Sequence, residues 1–116
     1  MKHSTNSWWA QRVSAIALLP LIIWFVLFIL KVFEYQDIEL VTSMFNSPFV
    51  TIFLAMFLSV GLYHGNLGIK EIIEDYVHCH SIKIGLIMGI NFLSLVTAIA
   101  GICAIFVLHL SIFNFN

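Results

Sequence analysis

Charge is what this sequence has least of. Lysine, arginine, aspartate and glutamate make up 9% of its 116 residues, five basic and six acidic, for a formal net charge of −1. A soluble domain carries about 25% charged residues. With no Lys/Arg cluster and no basic stripe, nothing here addresses nucleic acid. Cysteine is as scarce. Cys79 sits in a polar stretch and Cys103 in an apolar run, a separation that argues against pairing and leaves the redox compartment open. Proline occurs only at Pro20 and Pro48. No low-complexity tract, linker or internal repeat divides the chain, so residues 1–116 read as a single domain.

What the sequence does have is apolar surface. Hydrophobic residues make up 61% and the mean hydropathy is +1.03, a surplus that a core this small cannot hide. The chain belongs in lipid. Three stretches are near or above the roughly 20 residues needed to cross the hydrocarbon. The first, "VSAIALLPLIIWFVLFIL", runs from Val13 and extends to Phe33. Its Pro20 would kink it, which a bundle tolerates where neighbours satisfy the freed carbonyl. The second starts near Pro48, where proline suits a helix's first turn, and covers 48–70. The third covers 84–110. The fold class expected is all-α integral membrane with three transmembrane helices.

The first span is longer than the usual signal-peptide core of about 7–15 residues. The "KVFEYQDIEL" that follows offers no small-residue cleavage site, so the span is expected to stay. Lys2 and Arg12 precede it, and Lys70 and Lys83 flank the connection between the second and third spans. The opposite side carries only Lys31, beside Glu34, Asp37 and Glu39. That bias places the N-terminus and the 70–83 connection inside, cytoplasmic or matrix, and the C-terminus outside.

Within the second span stands His64. An ionisable group in a membrane helix is a functional candidate, because hydrocarbon disfavours it. At about 100° per residue, Gly61, His64, Gly65 and Gly68 fall in one arc of about 100°. Such a smooth notch beside an imidazole suits a flat macrocycle whose iron takes a ring nitrogen. The same residues also fit two plainer roles: G-x-x-x-G is a common helix-packing step, and a lone membrane histidine can hydrogen-bond a neighbouring helix. If an iron here is six-coordinate, its second ligand comes from another chain.

Asp75 follows eleven residues later, which on a continuous helix is three turns plus about 20°, the same face about 16 Å away. Tyr76 is offset by about 100° more. A phenol at the membrane edge can donate to a carbonyl such as a quinone's, and a carboxylate beside it can hold an arginine or relay protons. Tyrosine is also an ordinary interfacial anchor, and "KEIIEDY" an ordinary solvated helix end.

Taken together, Arg12 followed by "VSAIAL", His64-x-x-x-Gly68 and "IIEDYVH" resemble the small hydrophobic membrane anchor of succinate dehydrogenase, the cytochrome b556 small subunit family of proteobacteria and mitochondria. The most specific element is carried by His64, Gly68, Ile73, Asp75 and Tyr76. The resemblance implies a heterodimeric bundle with a second cytochrome b anchor subunit, sharing one haem b through one axial histidine from each. It also implies a flavoprotein and an iron–sulfur partner, with electrons from succinate passing to ubiquinone, a step of the tricarboxylic acid cycle and of electron transport. On this pattern His64 is the axial ligand, Tyr76 hydrogen-bonds the quinone carbonyl and Asp75 orients an arginine of the partner anchor. Arg12 matches a basic residue near the haem propionates and quinone pocket. The chain would then perform no bond chemistry alone. With no targeting extension in view, a bacterial plasma membrane is expected, the mitochondrial inner membrane being the alternative.

The sequence departs from some members of that family after the expected ligand, with Gly65, Asn66 and Leu67 where other members carry bulkier apolar or aromatic residues. "HCH" at 78–80 lacks the further ligands a zinc site needs and reads as a polar loop. His109 is expected at the outer interface. Asn91, Ser94 and Thr97, and the Gly85/Gly89 step, are expected to face other helices, and Trp8 and Trp9 to form an interfacial belt. The rival reading is a cofactor-free structural or assembly subunit; a small transporter would show polar residues on more than one span or a broken pair of helices.

Overall fold

The protein is described by a computed structural model covering the backbone of residues 2–115 and the side chains of residues 5–112 and Asn114. The Lys2 side chain, used above for orientation, lies outside the described residues. Four helices follow one another: α1 (Lys2–Glu34), α2 (Ile38–Met44), α3 (Pro48–Tyr76) and α4 (His80–Phe115). Three of them contain segments long and apolar enough to cross a membrane, at Thr5–Glu34, Pro48–Tyr76 and His80–Ile112. The fold is the all-α, three-span arrangement expected.

The helices outrun the apolar stretches that announce them. No glycine or proline stands between residues 2 and 19, so α1 continues through the polar "NSWWAQR" before the hydrocarbon begins. The same holds at the end of α3, where "KEIIEDY" consists largely of good helix formers and carries the helix six residues past Lys70. Asp75 and Tyr76 therefore sit in its last turn. Pro48 occupies the first turn of α3 behind Ser47 at the cap, as proline's missing N–H favours. The short α2 has no counterpart among the expected elements. It starts at Asp37, whose side chain accepts from the Glu39 amide at 3.0 Å, satisfying one of the orphan donors of the first turn.

Antiparallel α3 is the middle helix: it packs on α1 and on α4, and no comparable contact joins those two among the described residues. Its N-terminal half meets α1 through rings. Trp24 stacks on Phe28 at 5.4 Å and on Phe53 at 5.1 Å, Phe25 on Phe57 at 4.5 Å, and Phe28 meets Phe45 edge-on at 5.7 Å. Toward α4 the contacts are mixed. Asn66 Nδ2 donates to Ser94 Oγ at 2.8 Å and reaches Asn91 Oδ1 at 3.4 Å. Asn91 and Ser94 thus face another helix as expected, and Thr97 lines the adjoining groove with Gly61 and Gly65. His109 Nδ1 donates to the Phe45 carbonyl at 2.9 Å, tying the C-terminal part of α4 to the turn after α2. The two cysteines are free and exposed, Cys79 in the connection before α4 and Cys103 on α4.

Few side chains are buried. Among the described residues Leu21, Phe28 and Ile73 are the buried hydrophobics, while most large apolar residues of the spans remain exposed. Lipid accounts for that exposure, since acyl chains are as apolar as leucine. Helix approach depends instead on small residues, and the glycine that matters within this chain is Gly101. A Cβ there would overlap Leu58 Cδ2 of α3, whereas Gly85 and Gly89 have nothing within 4 Å. That second glycine step is not used in packing among the described residues. Because the atom met is a terminal methyl that can swing aside, Gly101→Val should lower the apparent Tm of the detergent-solubilised assembly only modestly, with a cost of about 1 kcal/mol, the low end for overpacking. A thermal unfolding scan of the two proteins side by side checks this.

Candidate functional site

On α3, Asn66 faces α4 and His64 faces α1, about 200° apart around the helix axis. The wide arc between them carries Gly61, Gly65 and Gly68. A Cβ at Gly61 would make ordinary contact with Leu18 at 4.0 Å. At Gly65 and Gly68 it would meet no atom within 4 Å. The space at Gly65 and Gly68 is thus open, and Gly61 and Gly65 line a groove whose other wall is Ile90, Leu93, Ser94 and Thr97 of α4.

His64 stands at the α1 edge of this arc, half-buried. Its Nδ1 lies 2.9 Å from Oγ of Ser14 on α1, and that hydroxyl also donates to the Gln11 carbonyl at 3.1 Å. Ser14 is only 5% exposed, so this bond lies inside the α1–α3 contact. Among the described residues no protein group is bonded to Nε2 of His64. The arrangement fits a haem in two respects: an imidazole held through one nitrogen with the other left over, and an open, glycine-lined surface beside it.

The unbroken α3 sets Asp75 at about −40° and Tyr76 at about +60° from Gly61, so both fall within or beside the glycine arc, about 16–18 Å along the axis from His64. Asp75 is exposed and Tyr76 is 77% exposed. His64, Asp75 and Tyr76 accordingly share the open side of one helix. Arg12 does not join them. It lies about 200° around α1 from Ser14, with its guanidinium 4.8 Å over the Trp8 ring, an arrangement that favours the cation. Trp8 and Trp9 meet edge to face at 5.0 Å, both exposed.

Two residues at this site escape a reading from spacing. Ser14 is a common, weakly polar residue in a span, and only its burial against His64 singles it out. Asn66, two residues after His64, directs its amide to α4. A polar residue flanking a ligand on a middle helix is the signal that could have found it, since such a helix needs polar ties on two sides.

A family model described as succinate dehydrogenase/fumarate reductase transmembrane subunit matches residues 1–104. The chain belongs to this family of membrane anchors. Its curated relatives include the succinate dehydrogenase hydrophobic membrane anchor subunits of Rickettsia typhi and of Paracoccus denitrificans. The first is 31% identical over 105 residues, covering 90% of this chain and 83% of the relative. The second is 31% identical over 90 residues, covering 78% and 69%. The succinate dehydrogenase membrane anchor subunit of Reclinomonas americana is 31% identical over 86 residues, 72% and 71%. No solved structure matches. With its three apolar helices, the chain is a protein of a bacterial or mitochondrial inner membrane.

Because nothing of the anchor's own helices occupies the space at Gly68, Gly68→Leu should insert and fold normally while interfering with whatever docks there. The expected result is an unchanged amount of membrane-inserted anchor with less of the remaining complex co-purifying through it. Equal loss of both would move Gly68 into the anchor's internal packing.

Proposed function

We propose that this anchor supplies one axial ligand, His64, to a b-type haem shared with a second cytochrome b subunit, and one wall of a ubiquinone site. In this way it couples succinate oxidation by the flavoprotein and iron–sulfur subunits to quinone reduction. The observation that carries the reading is the coincidence of His64, the open glycines, Asp75 and Tyr76 on one side of α3. A bound haem would provide a one-electron redox centre within the span. The chain's residues do the rest by position. His64 presents an imidazole at the edge of the notch, and Gly65 and Gly68 let a flat group approach the backbone. At the membrane edge, Tyr76 donates a hydrogen bond to a quinone carbonyl oxygen, a bond that strengthens as that oxygen gains negative charge. Asp75 holds an arginine of the partner anchor beside it. Arg12 keeps its family role near the propionates only if the partner brings the cofactor's edge round α1; the contact with Trp8 accounts for it otherwise. The charge bias sets the N-terminus and the α3–α4 connection on the cytoplasmic or matrix side, and we favour a bacterial plasma membrane.

One observation favours the rival reading, a structural subunit without cofactor. The Ser14–His64 bond is also what a packing histidine would make. The two readings part at Nε2, and a reduced-minus-oxidised absorbance spectrum of the assembly isolated through this chain separates them. Sharp b-type bands that vanish in His64→Leu are expected. An assembly that forms but shows no such bands leaves His64 a packing residue.

The quinone assignment is tested separately. Tyr76→Phe removes one hydrogen bond to a developing charge, worth ~1.5–3 kcal/mol, and should slow succinate:quinone turnover about ten- to a hundred-fold. Succinate oxidation with an artificial acceptor should be unchanged. A parallel fall in both activities would mean that the substitution harms assembly rather than quinone binding.

A further inference from the structure

We infer that Ser14 is a positioning residue for His64, fixing it as the tautomer with the proton on Nδ1 and the lone pair on Nε2. This rests on the ligand role proposed for His64 and extends it to a residue on another helix. Proton counting decides between the two tautomers. Ser14 has a single hydroxyl proton and two neighbours, the Gln11 carbonyl at 3.1 Å and His64 Nδ1 at 2.9 Å. A carbonyl oxygen only accepts. If the hydroxyl donates to Gln11, its oxygen is free to accept from an Nδ1–H, and both bonds are made. If it donates to Nδ1 instead, the bond to Gln11 is lost and the imidazole proton moves to Nε2, where no described residue accepts it. A donor without a partner is disfavoured within a membrane span, and Ser14, 5% exposed, sits in the α1–α3 contact where its own two bonds must be made. The first arrangement therefore prevails.

Its consequence is chemical. A ligand imidazole must offer a lone pair, and the nitrogen not engaged with the protein is the one that carries it. Holding Nδ1 also restrains rotation of the ring. A neutral hydroxyl is a weaker acceptor than a carboxylate, so the imidazole gains little anionic character from it. The local geometry supports a device rather than an accident of packing: Ser14 donates back onto its own helix, which leaves the direction of the second bond no choice.

The test uses the intact complex carrying Ser14→Ala or Ser14→Thr, with His64→Leu as reference. Three quantities are measured: the haem-to-chain ratio, the rate of haem transfer to apomyoglobin, and the haem midpoint potential by redox titration. Outer-shell partners of metal ligands are typically worth about ten- to a hundred-fold in affinity. Ser14→Ala should release haem about that much faster and shift the potential, and Ser14→Thr, which keeps the hydroxyl, should restore both. Haem retention and potential unchanged in Ser14→Ala, with haem absent from His64→Leu, would overturn the role of Ser14 while leaving the ligand in place. Haem retained in His64→Leu would instead overturn the ligand reading, and the inference with it. A Ser14→Ala defect that Thr does not restore would also overturn it, since volume rather than the hydroxyl would then be at work.

Discussion

The hydrogen bond between Ser14 and His64 is the contact on which both the architecture and the site depend. Lipid offers no hydrophobic drive to bring α1 onto α3, because acyl chains solvate the apolar faces as well as another helix does. What sets register there is a polar group that must find a partner. His64 meets Ser14 toward the C-terminal half of α3, and the stacked rings of Trp24, Phe25, Phe53 and Phe57 continue the same seam toward its N-terminal end. Fixing that seam turns α3 about its axis, so that Gly61 stays beside Leu18 of α1 while Gly65 and Gly68 stand clear of the chain's own helices. The same bond thus orients the candidate ligand and opens the surface beside it.

A second polar tie completes the constraint. Asn66 bonds Ser94 on α4, and with His64 on α1 it leaves α3 little rotational freedom. Asn66 is one of the three residues after His64, with Gly65 and Leu67, expected to differ from some family members, and its amide faces α4, about 200° from His64. Near the C-terminal end of α4, His109 holds the turn after α2 through the Phe45 carbonyl.

Much of this is legible in the sequence because the bilayer imposes simple rules. Hydrophobic length marks three helices, proline marks the start of α3, and the 100° period places His64, Asp75 and the glycines together once α3 is known to be continuous. The rest depends on information that a single helix does not contain. Spacing cannot tell a glycine that admits a neighbour from one that faces outward, so Gly101 does not stand out in the sequence whereas Gly85 and Gly89 do. Ser14 and Asn66 are identified by partners 50 and 28 residues away. The seven-residue α2 is too short for periodicity, and only Asp37 at its cap announces it.

The two classes of glycine also bear on what completes the molecule. Exposed leucine, isoleucine and phenylalanine say nothing about partners, since lipid covers them as well as protein does. Glycines and an ionisable ring are different. Lipid gains little by packing on a bare backbone, and it solvates an imidazole or a carboxylate poorly. On α3 these groups are gathered on one side, with Asp75 and Tyr76 continuing the row to the membrane edge. The faces of α1 and α4 turned away from α3 are dominated by large apolar residues. The side of the molecule least suited to lipid is therefore the glycine side of α3, and it is there that a partner chain and a shared cofactor would remove the greatest mismatch.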